Sequence, residues 1–233
     1  MKINDRVEDI SRLYGILDEL EGRLGGKQEL SVCNGRMKWP RQGVYLFFEK
    51  GEERTGSGSG LRVVRVGTHA VSIGSKSKLW NRLKQHKGNT GNGGGNHRGS
   101  IFRLNIGMAL QKTGRIASTC SWGKGLSCSS EVRGVELGAE KIVSEYMGEM
   151  PFLYVCVEDE PSKNSDRAIL EKNLIGLLSN YEHSPIDPPN KTWLGSSCPK
   201  PEIRLSGLWN SNYVESDYDP LFLDLLERYV KAM

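Results

Sequence analysis

Between Arg54 and Ser130 the chain carries no aspartate or glutamate, a gap of 77 residues in a protein of 233. Other absences bound the problem first. No apolar run approaches the roughly 18 residues that cross a bilayer as a helix, so a helical membrane protein is excluded. The N-terminus, MKINDRVEDISRLYG, is too charged for a secretory signal, and the expected compartment is the cytoplasm. Cysteine is scarce: Cys33, Cys120, Cys128, Cys156 and Cys198 are odd in number, scattered and never spaced CxxC. That pattern argues against a disulfide framework, and no histidines stand at zinc-site spacing beside them. The run GSGSG at 56–60 is not followed by GK[ST], so it is no phosphate-binding loop of that type. It reads as a flexible hairpin tip. With 37% hydrophobic and 26% charged residues, the composition is that of an ordinary soluble domain with length for a sizeable core.

What fills the acid-free segment is basic. It holds thirteen lysines and arginines, while the rest of the chain has 19 basic and 28 acidic residues, so +13 faces −9 behind a net charge of +4. One-signed blocks mark interaction surfaces more often than solubility devices. A polyanion, and in particular a nucleic acid, is the natural partner of such a segment. Its densest part is SKSKLWNRLKQHKGN, residues 75–89, with five cations and no acid.

The order of elements predicts an α+β domain, a small antiparallel-containing sheet flanked by helices. Ile3, Val7, Ile10, Tyr14, Leu17 and Leu24 form an amphipathic stripe closed by Gly25 and Gly26. That stripe could build a homodimer, but a single imperfect one more often packs on its own domain. GVYLFFEK (43–50) and LRVVRVGT (61–68) read as a hairpin, 76–88 as a helix, and GNTGNGGGNHRGS as an irregular, mobile connection. Helices follow at SIFRLNIGMALQK, at VRGVELGAEKIVSEYMGE and at NSDRAILEKNLIGLLSNY, with the strand PFLYVCVED before the last of these. A final helix lies in DPLFLDLLERYVKAM. The whole reads as one domain: an N-terminal helical arm (1–39), a core (40–195) with a basic insertion at about 88–130, and a C-terminal extension (196–233).

Two helices carry residues out of place. On 76–88, Leu79 and Leu83 set the inward stripe, and Arg82 and His86 fall on its edge, while Lys84 points elsewhere. Backbone carbonyls could satisfy both. On the helix after Ser165, Glu171 lies inside the apolar arc of Leu170, Leu174, Leu177, Leu178 and Tyr181. A carboxylate there needs a partner, either Arg167 one turn earlier as an ion pair or a metal. Tyr45 could equally be a core aromatic of VYLFF, on the same strand face as Phe47.

Together, GVY at 43–45, RVG at 65–67, LWNRLKQH and AILEKNLIGLL resemble, in order, the motifs of the GIY-YIG nuclease family over about residues 40–190. The segment NHRGSIFR is similar to a bacterial branch of that family. The resemblance implies a DNA endonuclease, plausible as a restriction or defence enzyme, with Mg²⁺ or Mn²⁺ held by Glu171. It further implies Arg82 as the stabiliser of transition-state charge and Tyr45 as the base, with His86 as its hydrogen-bonding or relay neighbour. A free phenol has a pKa of about 10, so a tyrosine base needs the positive surroundings found above. Arg65 stands where the family carries its second tyrosine, and is expected to take over part of its work. The family asparagine is Asn180 or Asn190, with the spacing favouring Asn190. The DNA face is expected to include Lys76, Lys78, Lys84, Lys87, Asn96, His97, Arg98 and Arg103. The alternative from another class is a nucleic-acid-binding protein that keeps the fold without turnover.

Overall fold

The computed structural model describes residues 3–89 and 91–233. The chain runs α1 (Ile3–Leu24), β1 (Gln28–Glu29), β2 (Gly43–Glu53), β3 (Leu61–Gly67), α2 (Leu79–Lys87), α3 (Ile101–Lys112) and α4 (Ser130–Gly148). It continues through β4 (Pro151–Cys156), α5 (Asp166–Leu178), α6 (Pro201–Ser206) and α7 (Phe222–Lys231), with short 3₁₀ turns at His97–Gly99 and Leu194–Ser197. The strands form one antiparallel sheet in the order β1-β4-β2-β3.

Strand alternation explains the layers. Val44, Leu46 and Phe48 of β2 face a core built with α1, α5 and α7, while Tyr45 and Phe47 face a second core built with α2, α3 and α4. The sheet is thus covered on both faces. Helices outside the expected core region contribute directly: Leu13 and Leu17 of α1 and Leu223 and Leu226 of α7 are buried in the first core. Truncating any of them to alanine costs roughly 2–5 kcal/mol by the cavity rule. The α1 stripe therefore packs on its own domain, with the Ile3 side chain outside the described residues.

One irregularity shapes the site. The β2–β3 register shifts between Phe47↔Arg65 and Phe48↔Val63, so β3 carries a bulge at Val64–Arg65. The bulge turns two consecutive side chains, Val64 and Arg65, toward the second core, which plain alternation forbids. The open edge of β3 is closed by residues 209–210: Trp209 N donates to Val64 O at 2.7 Å, and the Asn210 amide clamps both backbone groups of Val66. A sheet edge left unpaired invites association, and here the C-terminal extension covers it.

Three local expectations change. The basic helix begins only at Leu79, so Lys76 and Lys78 precede it. The hairpin tip is tied down, because Asp187 Oδ1 accepts the N–H groups of Thr55, Gly56 and Ser57. The segment before α3, read as mobile, forms a 3₁₀ turn capped by Asn96 and anchored to Glu140 through His97.

Candidate active site

Tyr45 is fully buried on β2. Leu79 and Leu83 draw α2 onto the same face, and His86 follows Leu83 into the interior. The imidazole bridges two hydroxyls, with Nε2 2.8 Å from Tyr45 Oη and Nδ1 2.8 Å from Ser100 Oγ. Burial pushes the His86 pKa well below its ordinary value, helped by the charges of Arg82, Arg65 and Arg103. The ring is therefore neutral, with one donor and one acceptor nitrogen. Ser100 Oγ also caps α3 by accepting Arg103 N–H at 3.2 Å, so one hydroxyl links the helix cap to His86 Nδ1.

Arg65 enters from the bulge. It is buried, and its Nη1 donates to Trp209 O at 2.7 Å while its guanidinium carbon lies 5.3 Å from the Phe102 ring centre. Its Nε has no hydrogen-bond partner. Burial lowers the Arg65 pKa, opposed by the neighbouring Tyr45 and Glu171. A buried, incompletely paired arginine costs free energy, which packing alone gives no reason to retain. The register pairs Arg65 with Phe47 and Tyr45 with Gly67. Arg65 is the diagonal same-face neighbour of the tyrosine, a separation side chains of this length can bridge.

Glu171 reaches the same end of the sheet from α5, on the opposite face. Its Oε1 accepts Thr68 N–H at 3.1 Å, just past the last residue of β3. Burial raises the Glu171 pKa, while Arg65, the Thr68 N–H and Arg82 pull it down. The ion-pair alternative fails: Arg167 pairs with Asp159 and donates to His69 O at 2.6 Å. Arg82, half-buried, donates from Nη1 to Gln85 Oε1 at 2.9 Å and Gly99 O at 3.1 Å. Its charge acts on His86, Arg65 and Glu171 alike. Tyr45, Arg65, Arg82, His86 and Glu171 thus form one constellation where β3 ends.

Two glycines make room for it. A β-carbon on Gly43 would lie 2.3 Å from Val155 O, and one on Gly67 would lie 2.4 Å from Tyr45 Oη. Neither position tolerates a side chain, so glycine opens the first motif and closes the second for steric reasons. This order of strand glycines, tyrosine, helix arginine and distant glutamate is that of the GIY-YIG domain, whose family model matches residues 4–233. The chain belongs to the GIY-YIG domain family. Members of that family are endonucleases, which places this chain at family level among nucleases. The match takes in both helical extensions, which the sequence comparison of motifs had left outside. No curated protein and no solved structure matches the chain.

Within this GIY-YIG fold, other expected residues have other places. Asn190 does not approach the site. It donates to Gly51 O and accepts from Thr192 at the far end of the hairpin, about 20 Å along β2 from Tyr45 at 3.3 Å per residue. Asn180 is buried among Arg6, Ile186 and Asp187 as a structural amide. The expected DNA face divides. Lys76, Lys78, Lys84 and Asn96 are exposed. Lys87 donates to Ser31 O and Cys33 O. His97, Arg98 and Arg103 are instead structural. Arg98 pairs with Glu136, while Arg103 and His97 share Glu140. Both acids lie outside the acid-free segment and neutralise it from α4. Arg103 also donates to His86 O at 2.8 Å, so it braces the active-site histidine from behind.

Motif reasoning passed over Ser100, Thr68 and His69. Serine before an apolar helical run is an N-cap signal, which marks Ser100. His69 is buried with both ring nitrogens unpartnered, and burial beside Arg167 pushes its pKa down to about 4. Nothing in the sequence around it gives that away.

Proposed function

We propose that the protein is a metal-dependent DNA endonuclease that hydrolyses phosphodiester bonds, of restriction or defence type. The observation that supports this best is the Tyr45–His86 hydrogen bond, set beside two arginines and opposite a lone carboxylate. The proton of the attacking water passes to the Tyr45 oxygen, with His86 Nε2 2.8 Å away as its hydrogen-bonding or relay neighbour and Arg65 as its diagonal neighbour across the strands. Arg82 faces the phosphate and balances the charge that grows on its oxygens as the bond to the leaving oxygen breaks.

The donor set around Glu171 fits Mg²⁺ or Mn²⁺. Among the described residues no cluster of three or more His, Cys, Asp or Glu side chains forms a cage, and Glu171 has one oxygen bonded to Thr68 N–H and the other free of hydrogen bonds. A single carboxylate suits a hard cation that keeps its waters and takes further oxygens from phosphate. When bound, such an ion supplies Lewis-acid stabilisation of phosphate charge. The exposed lysines 76, 78 and 84, with Asn96, would contact the DNA. One observation favours a second reading, a binding protein without turnover: Arg65 in place of the second motif tyrosine. Digesting supercoiled plasmid with Mg²⁺ and with chelator separates the two. Metal-dependent nicking or linearisation is expected, and binding without cleavage in any divalent metal would decide for the second.

A further inference from the structure

Beside the active site a groove runs between the turn after β1, the outer side of α2 and the loop before the 3₁₀ turn. Its walls carry Asn34, Asn81, Lys84, Gln85, Asn89 and Asn96, and no acid lines it. Four of the five amide oxygens are already engaged inside the protein. Asn34 Oδ1 accepts Arg36 N–H at 2.9 Å, Gln85 Oε1 accepts Arg82 Nη1 at 2.9 Å, Asn89 Oδ1 accepts Gly91 N–H at 2.8 Å, and Asn96 Oδ1 accepts Arg98 N–H at 3.1 Å. A donor on each oxygen settles which end of the amide is nitrogen. Among the described residues each of the four amides keeps its NH₂ group, a pair of donors, unbonded, while its oxygen has only a second lone pair to spare.

The groove is therefore an array of donors. Among the described residues only Asn81 has an amide oxygen without a donor on it and Lys84 is the unpaired cation, while Lys87 spends bonds of 2.9 and 2.7 Å on Ser31 O and Cys33 O. A partner must bring acceptors. A channel that tracks phosphates is built of cations, whereas neutral, directional donors held by turns match the edges of bases. In the major groove guanine presents two acceptors, O6 and N7, and no donor. Adenine and cytosine each present an amino group that a donor array rejects, and thymine offers a single acceptor, O4, beside a methyl group, so guanine alone supplies a pair of acceptors. The groove adjoins the catalytic arginine, because Arg82 donates to Gln85 and to Gly99, both on its wall. A strand placed at Arg82 continues into it.

We propose that this groove reads guanine next to the cleavage position through amide donors whose oxygens the protein has locked. The inference rests on the reading of the protein as a DNA endonuclease and adds its base preference. Turn-locked amides lose little freedom on binding, which favours selectivity.

The test is selection from a duplex pool with randomised sequence, once by binding in chelator and once by cleavage with Mg²⁺. Guanine should be enriched at fixed positions on one side of the cut. Asn34→Ser/Asn96→Ser keeps a hydroxyl acceptor for each turn and removes both amides, and should lower that enrichment about tenfold. Replacing the selected guanines with 7-deazaguanine, which lacks N7, should weaken wild-type binding similarly without depending on how a variant folds. A pool cut without base preference, with preference for adenine, or with guanine preference untouched by both changes overturns the groove inference alone. A pool bound with guanine enrichment but never cut keeps the groove and removes the endonuclease. A pool neither bound nor cut removes both.

Discussion

The Tyr45 ring lies over Gly67 so closely that a methyl group there would stand 2.4 Å from the phenolic oxygen. The two residues are opposite one another in the β2–β3 ladder, so the contact is fixed by strand register. Gly67→Ala must therefore push the ring off its position against His86. Overpacking of this kind costs about 1–3 kcal/mol, and displacing a proton acceptor by even 1 Å costs about 10² in rate. The expected outcome is a folded protein, bound to DNA with near wild-type affinity, whose cleavage falls by about two orders of magnitude. Cleavage at the wild-type rate would show that Tyr45 need not sit where it does.

Glu171→Gln keeps an oxygen for Thr68 N–H and removes the negative charge. The variant should melt within about 1 kcal/mol of wild type, since no ion pair with Arg167 is lost. Cleavage should fall by about 10³ or more, with DNA affinity unchanged or raised. Single-turnover rates beside a binding isotherm measure both. Retained cleavage would take the metal role away from Glu171.

Salt dependence should be gentler than thirteen cations suggest. Arg62, Arg98 and Arg103 are consumed by Glu52, Glu136 and Glu140, leaving exposed Lys76, Lys78 and Lys84 with half-buried Arg82 as the coherent set near the site. About four phosphate contacts give a slope near −3.6 in log K against log salt, or about 10² in affinity between 50 and 200 mM. Lys76→Ala/Lys78→Ala/Lys84→Ala should bring the slope to about −1. A slope unchanged by the triple variant would move the DNA to another face.

The fold was largely readable because its helices and strands carry their own periodicity: the α1 stripe, the alternation of VYLFF and the apolar arc around Glu171 all survive in three dimensions. The failures share one cause. His97, Arg98 and Arg103 read as a cationic surface because the acids that neutralise them arrive from α4, over 35 residues away in the chain. Asn190 fitted by spacing, but Asp187 three residues before it is fastened to the hairpin tip. The facing of Arg65 depends on a bulge, a feature of strand pairing that neither strand shows by itself.

Stability should fall on the acid side for a reason visible in two histidines. His86 and His69 both have pKa values lowered in the fold, chiefly by burial. The unfolded chain then binds more protons than the native one below the ordinary histidine value of about 6.5, so stability is full above that pH and declines as pH drops. The His69 share is lost between about 6.5 and about 4. His69→Phe removes a titrating group whose ring nitrogens make no hydrogen bond, and should flatten the dependence in that window. Denaturant midpoints at several pH values measure it, and an unchanged slope would mean that His69 is protonated in the native protein.

The last prediction concerns the proton on His86. Ser100 Oγ caps α3 and lies 2.8 Å from Nδ1, and the expected arrangement is that its hydroxyl proton goes to Nδ1 and leaves Nε2–H for Tyr45. Ser100→Ala removes both contacts. The lost cap should cost about 1 kcal/mol of stability, a loss that by itself leaves the rate of a folded enzyme unchanged. The freed ring, however, can turn its tautomer over and present an unprotonated Nε2 to Tyr45, which would then donate its proton to the imidazole and no longer serve as acceptor. Catalysis lost through a wrong tautomer can reach about 10⁴, and here about 10² is expected because Arg65 still favours the productive state. Ser100→Asp restores the cap but offers Nδ1 an acceptor instead of a donor, which makes Nδ1 carry the proton. It should recover stability and remain slow, whereas Ser100→Thr should recover both. Nitrogen-15 shifts of the His86 ring report the tautomer directly. If Nδ1 carries the proton in wild type, or if Ser100→Asp cleaves as fast as Ser100→Thr, the serine caps a helix and does nothing more.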